Sequence, residues 1–187
     1  MKDGAPVIRD TDILDYLSGL STERFSGTVY RATRTGLNPT TPSTSGGRWM
    51  LRESTAVLYT STVRDGAMAE LSFHLGMLTP LPAKQMVLHG LQIETKKTIR
   101  IGREDFLALG IDDNRFAEIA YDRAQLIGDA AAFLGYDGIL VPSARWTCEN
   151  LVVICDNHDI SLPIDLVSSE DVDWQAWARA HGFITTP

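Results

Sequence analysis

The chain has 187 residues, 44% of them hydrophobic and 22% charged, with a formal net charge of −7. That length suits one domain with a core large enough to be stable alone; the acidic balance argues against a surface built to grip nucleic-acid backbone, and no apolar run approaches the roughly 20 residues of a membrane span. The polar start, MKDGAPVIRDTD, lacks the apolar stretch of a secretory signal, and Cys148 and Cys155 are too few for a four-ligand zinc site, so they read as reduced thiols of a cytoplasmic protein.

In chain order, Asp10 or Thr11 caps a first helix, DILDYLSGL, with Ile13, Leu14 and Leu17 on one face and Gly19 near its end. GTVYRAT (27–33) reads as a strand from its β-branched and aromatic content. TGLNPTTPSTS (35–45) is a long loop of the kind that usually carries function. It leads into the two-glycine platform Gly46-Gly47-Arg48-Trp49. AVLYT (56–60) is a strand, and TVRD (62–65) resembles a capping box that opens a helix. Ala67, Leu71, Leu75 and Leu78 form the buried stripe of that helix, Glu70 lies on its flank one turn from His74, and Pro80 and Pro82 end it. QMVLHGLQIET and TIRI read as two strands and REDFLALGI as a short helix. AYDRAQLIGDAAAFLG is a longer helix with Leu126, Ile127, Ala130, Phe133 and Leu134 on one face and Gly135 as its stop. DGILVPS and NLVVIC are short buried strands. The last helix, SSEDVDWQAWARAHG, takes Ser168 or Ser169 as its cap and Trp174, Trp177, Ala178 and His181 as its stripe. With no internal repeat or linker, this is one α+β domain.

The basic residues between Arg24 and Arg64 are all arginine: Arg24, Arg31, Arg34, Arg48, Arg52 and Arg64. A planar guanidinium suits bidentate contact with phosphate or carboxylate, so an arginine-only segment in an acidic chain points to a small anionic ligand. Glu70 alone would read as a solvated edge residue. It gains weight from its company, because strand and helix packed side by side bring Arg48, Tyr59 and Glu70 to one mouth, with Arg31 beside them. That set suits cleavage of the N-glycosidic bond of NAD. Ordinary glycosidases need two carboxylates, one to protonate the leaving group. Nicotinamide leaves neutral, so one carboxylate suffices to steady the oxocarbenium-like transition state. Arginines hold the pyrophosphate, an aromatic ring stacks on nicotinamide, and no metal is needed.

VYRAT, GGRW, AVLYTS, AMAEL, DGILVPSARW and ENLVV, in this order and spacing, resemble the RES domain, a family named for an arginine, a glutamate and a serine. The resemblance runs from about Phe25 to Asp165. It implies an ADP-ribosyltransferase-like fold of mixed sheets with flanking helices. Residues 1–187 then form a single RES-type domain, with a core over about 25–165 and a C-terminal helix over about 169–182. It also implies an NAD-consuming toxin of a bacterial toxin–antitoxin pair, whose cognate antitoxin carries a helix-turn-helix part. Carried over by residue, Glu70 is the catalytic carboxylate, and Arg31 and Tyr59 complete the catalytic group. Arg31 and Arg48 contact the dinucleotide, Tyr59 lines the nicotinamide pocket, Ser143 holds ribose or Glu70, and Asn150 supports the site. The family usually has asparagine after GGRW, where this chain has Met50. Its later motif is also replaced by Ala144-Arg145-Trp146-Thr147-Cys148-Glu149, which brings Arg145 or Trp146 toward the site. ADP-ribose passes to water, phosphate or a protein target, and the long loop favours a protein. The alternative is a non-catalytic module that uses the same arginine pocket to bind a nucleotide or partner. Trp49, Trp174 and Trp177 read as packing residues, and His74 as a second-tier pocket residue.

Overall fold

The two strands expected over QMVLHGLQIET and TIRI are one, β3 (Met86–Arg100), and the rest of the sheet is arranged around it. The computed structural model describes residues 9–185, so most of the polar N-terminal stretch lies outside the described residues. Along one edge β3 pairs antiparallel with β1 (Thr22–Arg34), from Thr22↔Ile99 to Arg34↔Met86. Its other edge is shared. Residues 86–93 pair with β6 (Ile164–Val172), and residues 98–100 run parallel to β4 (Gly138–Pro142). β5 (Glu149–Ile154) lies between β4 and β2 (Val57–Ser61), and a single pair, Tyr30↔Ser61, joins β2 back to β1. The pairings therefore close a circuit, β1–β2–β5–β4–β3, with β6 on the outside.

Three apolar clusters hold this frame. Val29, Leu91 and Ile93 meet Leu58, Leu140, Leu151 and Val153 between the two strand layers. The opposite faces of the same strands, Val57, Ile139, Val141, Val152 and Ile154, pack against α1 (Thr11–Gly19), α3 (Phe106–Leu109) and α4 (Asp122–Phe133). Burial on both faces is why β4 and β5 read as unbroken apolar runs. The third cluster joins α2 (Arg64–Gly76) and α5 (Trp174–Ala180) to Met86, Leu88 and Val172.

Several sequence expectations are corrected. Asp10 does cap α1, accepting from the amides of Asp12 and Ile13. α2 has no capping box: Val63 is its cap residue, and the Thr62 hydroxyl donates instead to the Glu149 carbonyl. Its buried face is Gly66, Ala67, Met68, Ala69 and Ser72, whereas Leu71 and Leu75 are half-buried and Leu78 lies exposed beyond the helix, which ends before Pro80. In α4, Leu126 and Phe133 are exposed, and the face turned inward is Ala124, Ile127, Gly128, Ala130 and Ala131. Ser168 and Ser169 do not cap the last helix. They belong to β6, and the helix starts at Trp174 under an Asp173 cap. Trp174 is core as expected, and Trp177 stacks on His181 with ring centroids 3.9 Å apart.

Two consequences for stability follow. A Cβ on Gly128 would overlap the Trp49 carbonyl oxygen, while one on Gly19 would meet nothing within 4 Å. Gly128→Ala is expected to cost about 1–3 kcal/mol, or more, through overpacking, with Gly19→Ala neutral or slightly stabilising, as read by urea unfolding. The buried His89 ring, between Thr33 (Oγ1 to Nε2, 3.0 Å) and Ser169 (Oγ to Nδ1, 2.8 Å), titrates below the ordinary imidazole range because of burial and then the Arg31 charge. Thr33 Oγ1 already donates to the Arg34 carbonyl, so Nε2 carries the proton and Nδ1 accepts. The unfolded chain therefore takes up this proton first, and stability falls as pH drops through about 6.5. Unfolding midpoints measured from pH 7.5 to 5.5 should show that loss reduced in His89→Gln.

Candidate active site

Glu70 lies halfway along α2, on the wall of a cavity of about 370 Å³. Its Oε1 accepts from Ser143 Oγ at 3.0 Å and from Asn150 Nδ2 at 2.9 Å. Both donors come from the β4–β5 connection: Ser143 follows the last residue of β4, and Asn150 sits near the start of β5, opposite Ser61 of β2. Ser143 has no choice of direction. Its oxygen accepts from the amides of Arg145 at 3.1 Å and Trp146 at 3.2 Å, so its own proton goes to Glu70. Oε2 receives no hydrogen bond among the described residues and remains available to a ligand.

α2 reaches this position because Gly66 lets it dock closely. A Cβ there would strike Ser61 Oγ and come within 2.5 Å of Cys148 Sγ. One turn later on the same helix, Glu70 is brought up to Asn150. The two-glycine platform makes room for a neighbouring side chain. Gly46 has φ +79°, in the left-handed region. A Cβ on Gly47 would lie 2.7 Å from the Tyr59 hydroxyl, so the absent side chain makes room for that ring. The Tyr59 hydroxyl accepts from the Trp49 amide at 3.3 Å, and burial pushes its pKa up, which keeps it protonated. Trp49, only 2% exposed, and Met50 both turn into the core, so Met50 offers the cavity nothing.

Arg31, Arg48, Tyr59, Glu70 and Asn150 all line the cavity; Ser143 is buried behind Glu70. Arg31 donates to the carbonyls of Pro39 (3.1 Å) and Thr41 (3.0 Å), which ties the long loop over 35–45 to this side of the cavity. Arg48 donates to the Glu118 carbonyl at 3.1 Å, with its guanidinium 4.7 Å from the Phe116 ring centre and 4.5 Å from that of Tyr121. Burial lowers the pKa of both guanidinia, yet neither pairs with a carboxylate among the described residues. The arginine-only segment is otherwise not a cluster. Arg24, Arg34 and Arg52 are exposed, and Arg64 binds Glu170. His74 is on the rim, open to solvent as a residue although neighbouring atoms crowd its ring enough to lower its pKa against the pull of Glu70. Tyr121 is a cavity residue that sequence reasoning took only for a helix start. No group of three or more His, Cys, Asp or Glu among the described residues is placed to hold a metal ion.

This arrangement offers one fixed carboxylate, two unneutralised cations and aromatic walls, a site for a small anionic molecule. The family model described as the RES domain matches residues 24–175, most of the chain and past Asp165 through β6. The chain belongs to the RES domain family. In structure, this RES domain is similar to a chain of the M. tuberculosis MbcT–MbcA toxin–antitoxin complex, with a TM-score of 0.77 and 20% sequence identity over 92% of this chain and 98% of that one. At that identity the likeness is one of fold. No curated protein matches the sequence.

Because Ser143 and Asn150 share one oxygen of Glu70, their contributions to the RES domain are coupled. Ser143→Ala and Asn150→Ala are each expected to cost about 1–3 kcal/mol. The double variant should depart from their sum by more than about 0.5 kcal/mol. Urea unfolding of the four proteins of this cycle checks it.

Proposed function

We propose that this RES domain is the toxin of a toxin–antitoxin pair and cleaves the nicotinamide–ribose bond of NAD, acting in the cytoplasm. The observation that carries the reading is Glu70. One oxygen is pinned by two side chains, and the other is open to a cavity whose two guanidinia lack a carboxylate partner among the described residues. In the proposed reaction the C1′–N bond breaks and its electron pair goes to the pyridinium nitrogen, so nicotinamide leaves neutral with no general acid. Glu70 holds a ribose hydroxyl and steadies the positive charge that grows on C1′ and the ring oxygen. The guanidinia of Arg31 and Arg48 take the anionic linker, and Tyr59, protonated and fixed against Gly47, walls the nicotinamide. ADP-ribose then passes to water, to phosphate or to a side chain of a protein target. The structural likeness to a chain of a toxin–antitoxin complex supports a cognate antitoxin as partner, and the family resemblance adds its helix-turn-helix part.

Nicotinamide release from NAD by the purified chain is the test, run alone, with phosphate and with a cell lysate. Release is expected, and Glu70→Gln, which keeps the shape but loses the charge, should slow it at least about 100-fold. The condition that speeds release most identifies the acceptor. Tight NAD binding without release, unaltered by Glu70→Gln, would mean a nucleotide-binding module instead.

A further inference from the structure

We propose that Arg145 is a third phosphate-binding residue of this site, seated beside Arg48 beneath a strap formed by residues 117–120, whose carbonyl oxygens stand where phosphate oxygens bind. The source of the phosphate rests on the NAD reading; the seat itself does not.

The two guanidinia hold neighbouring points of one segment. Arg145 Nη1 donates to the Ala117 carbonyl at 2.5 Å, and Arg48 Nη2 donates to the Glu118 carbonyl at 3.1 Å. Adjacent residues are about 3.8 Å apart along the chain, so the two head groups lie within about 10 Å of each other. Neither has a carboxylate partner among the described residues, and Arg145 Nη2 is buried with no acceptor. A charged donor left unmatched out of water is costly, and a ligand oxygen is what would match it.

Ring faces position both cations independently of the strap. Arg145 lies 3.3 Å from the centre of the Phe73 ring, and Arg48 lies against Phe116 and Tyr121. The strap is the weaker party. Residues 117–120 are all exposed, and of their amides only that of Glu118 makes a backbone hydrogen bond among the described residues, to Arg115. A carbonyl is a neutral acceptor. A phosphate oxygen adds the attraction of opposite charges to the hydrogen bond, and a guanidinium fork can take two such bonds at once. Exchange of strap for phosphate is therefore downhill at both arginines. The Arg145 amide also donates to Ser143 Oγ, so the seat is built on the same turn that orients Glu70.

The ligand chemistry is a phosphate oxyanion, supplied by the diphosphate of a dinucleotide or by free phosphate. The test titrates the full chain calorimetrically with inorganic phosphate, ADP-ribose and nicotinamide riboside, which has no phosphate. Arg145→Gln should weaken the two phosphate-bearing ligands about 10-fold or more and leave nicotinamide riboside unchanged. In the unaltered chain, competition between phosphate and ADP-ribose assigns the seat to the diphosphate. Simultaneous binding assigns it to free phosphate. If folded Arg145→Gln binds both phosphate-bearing ligands within about 2-fold of the unaltered chain, or loses nicotinamide riboside equally, the proposal is wrong. Should that variant not fold, hydrogen exchange on the unaltered chain decides. Phosphate should speed exchange over residues 116–121, and unchanged exchange there would overturn strap displacement. A chain that binds phosphate through Arg145 but never releases nicotinamide keeps the seat and loses the NAD reading.

Discussion

The Ser143 hydroxyl has one proton, and because two backbone amides occupy its oxygen it can give that proton only to Glu70. The orientation of the carboxylate depends on that bond and on its companion from Asn150. It also depends on everything that places α2 against the β4–β5 turn. Gly66 sets the distance, because any side chain there would strike Ser61 and Cys148. The β2–β5 register sets the height, because it puts Asn150 opposite Ser61, at the foot of α2. The apolar cluster between the strand layers keeps that register rigid, since a slip of one residue would turn Leu151 and Val153 to the wrong face. A carboxylate held at one oxygen and open at the other thus follows from backbone pairing and one absent side chain.

The electrostatics of the cavity run against those of the whole molecule. The chain carries a net charge of −7, yet Arg31 and Arg48 line the cavity and, among the described residues, bond only to carbonyl oxygens. Several arginines elsewhere on the surface do have carboxylate partners: Arg64 with Glu170, Arg100 with Glu23 and Glu149, and Arg103 with Asp113. Carbonyl dipoles hold a guanidinium in place without cancelling its charge. In a concave, partly dry site that charge is felt strongly by an incoming anion. An acidic exterior around a cationic pocket also disfavours long polyanions, which would have to cover the negative surface, and admits small ones.

Sequence reading succeeded where local pattern and tertiary context agree. Asp10 caps α1 as its spacing suggested, β4 and β5 announce themselves by unbroken apolar runs, and Glu70, Tyr59, Arg31 and Arg48 do reach one cavity. It failed where context overrides pattern. Ser168 and Ser169 look like helix caps, but the sheet needs an edge strand beside residues 86–93 of β3, and this exposed, mostly polar segment supplies it. Leu126 and Phe133 look like core, but the close approach of α4 to the platform at Gly128 turns the small residues Ala124, Ala130 and Ala131 inward. Leu71 and Leu75 pack against the edge of the core and also line the cavity, which is why an apolar stripe was legible and its incomplete burial was not. Tyr121 could not be assigned at all: it meets Arg48 across 73 positions of chain, and no spacing rule links them.

The distribution of unsatisfied groups locates the functional strain of the molecule. Four buried side-chain atoms among the described residues have no hydrogen-bond partner: Ser72 Oγ, Arg145 Nη2, Asn150 Oδ1 and Arg179 Nε. Two of the four bear on the site: Asn150 bonds Glu70 directly, and Arg145 bonds the serine that does so. Unmatched polar atoms are rare in folded proteins, and each one lowers stability. The clusters on both faces of β4 and β5 can bear that cost because they are dry and continuous. A core that tolerates the deficit and a site that holds it are complementary parts of one design. Asn150 gives one amide proton to Glu70 and keeps a buried carbonyl oxygen without a donor among the described residues, so the carboxylate is oriented at the cost of an unmatched acceptor beside it.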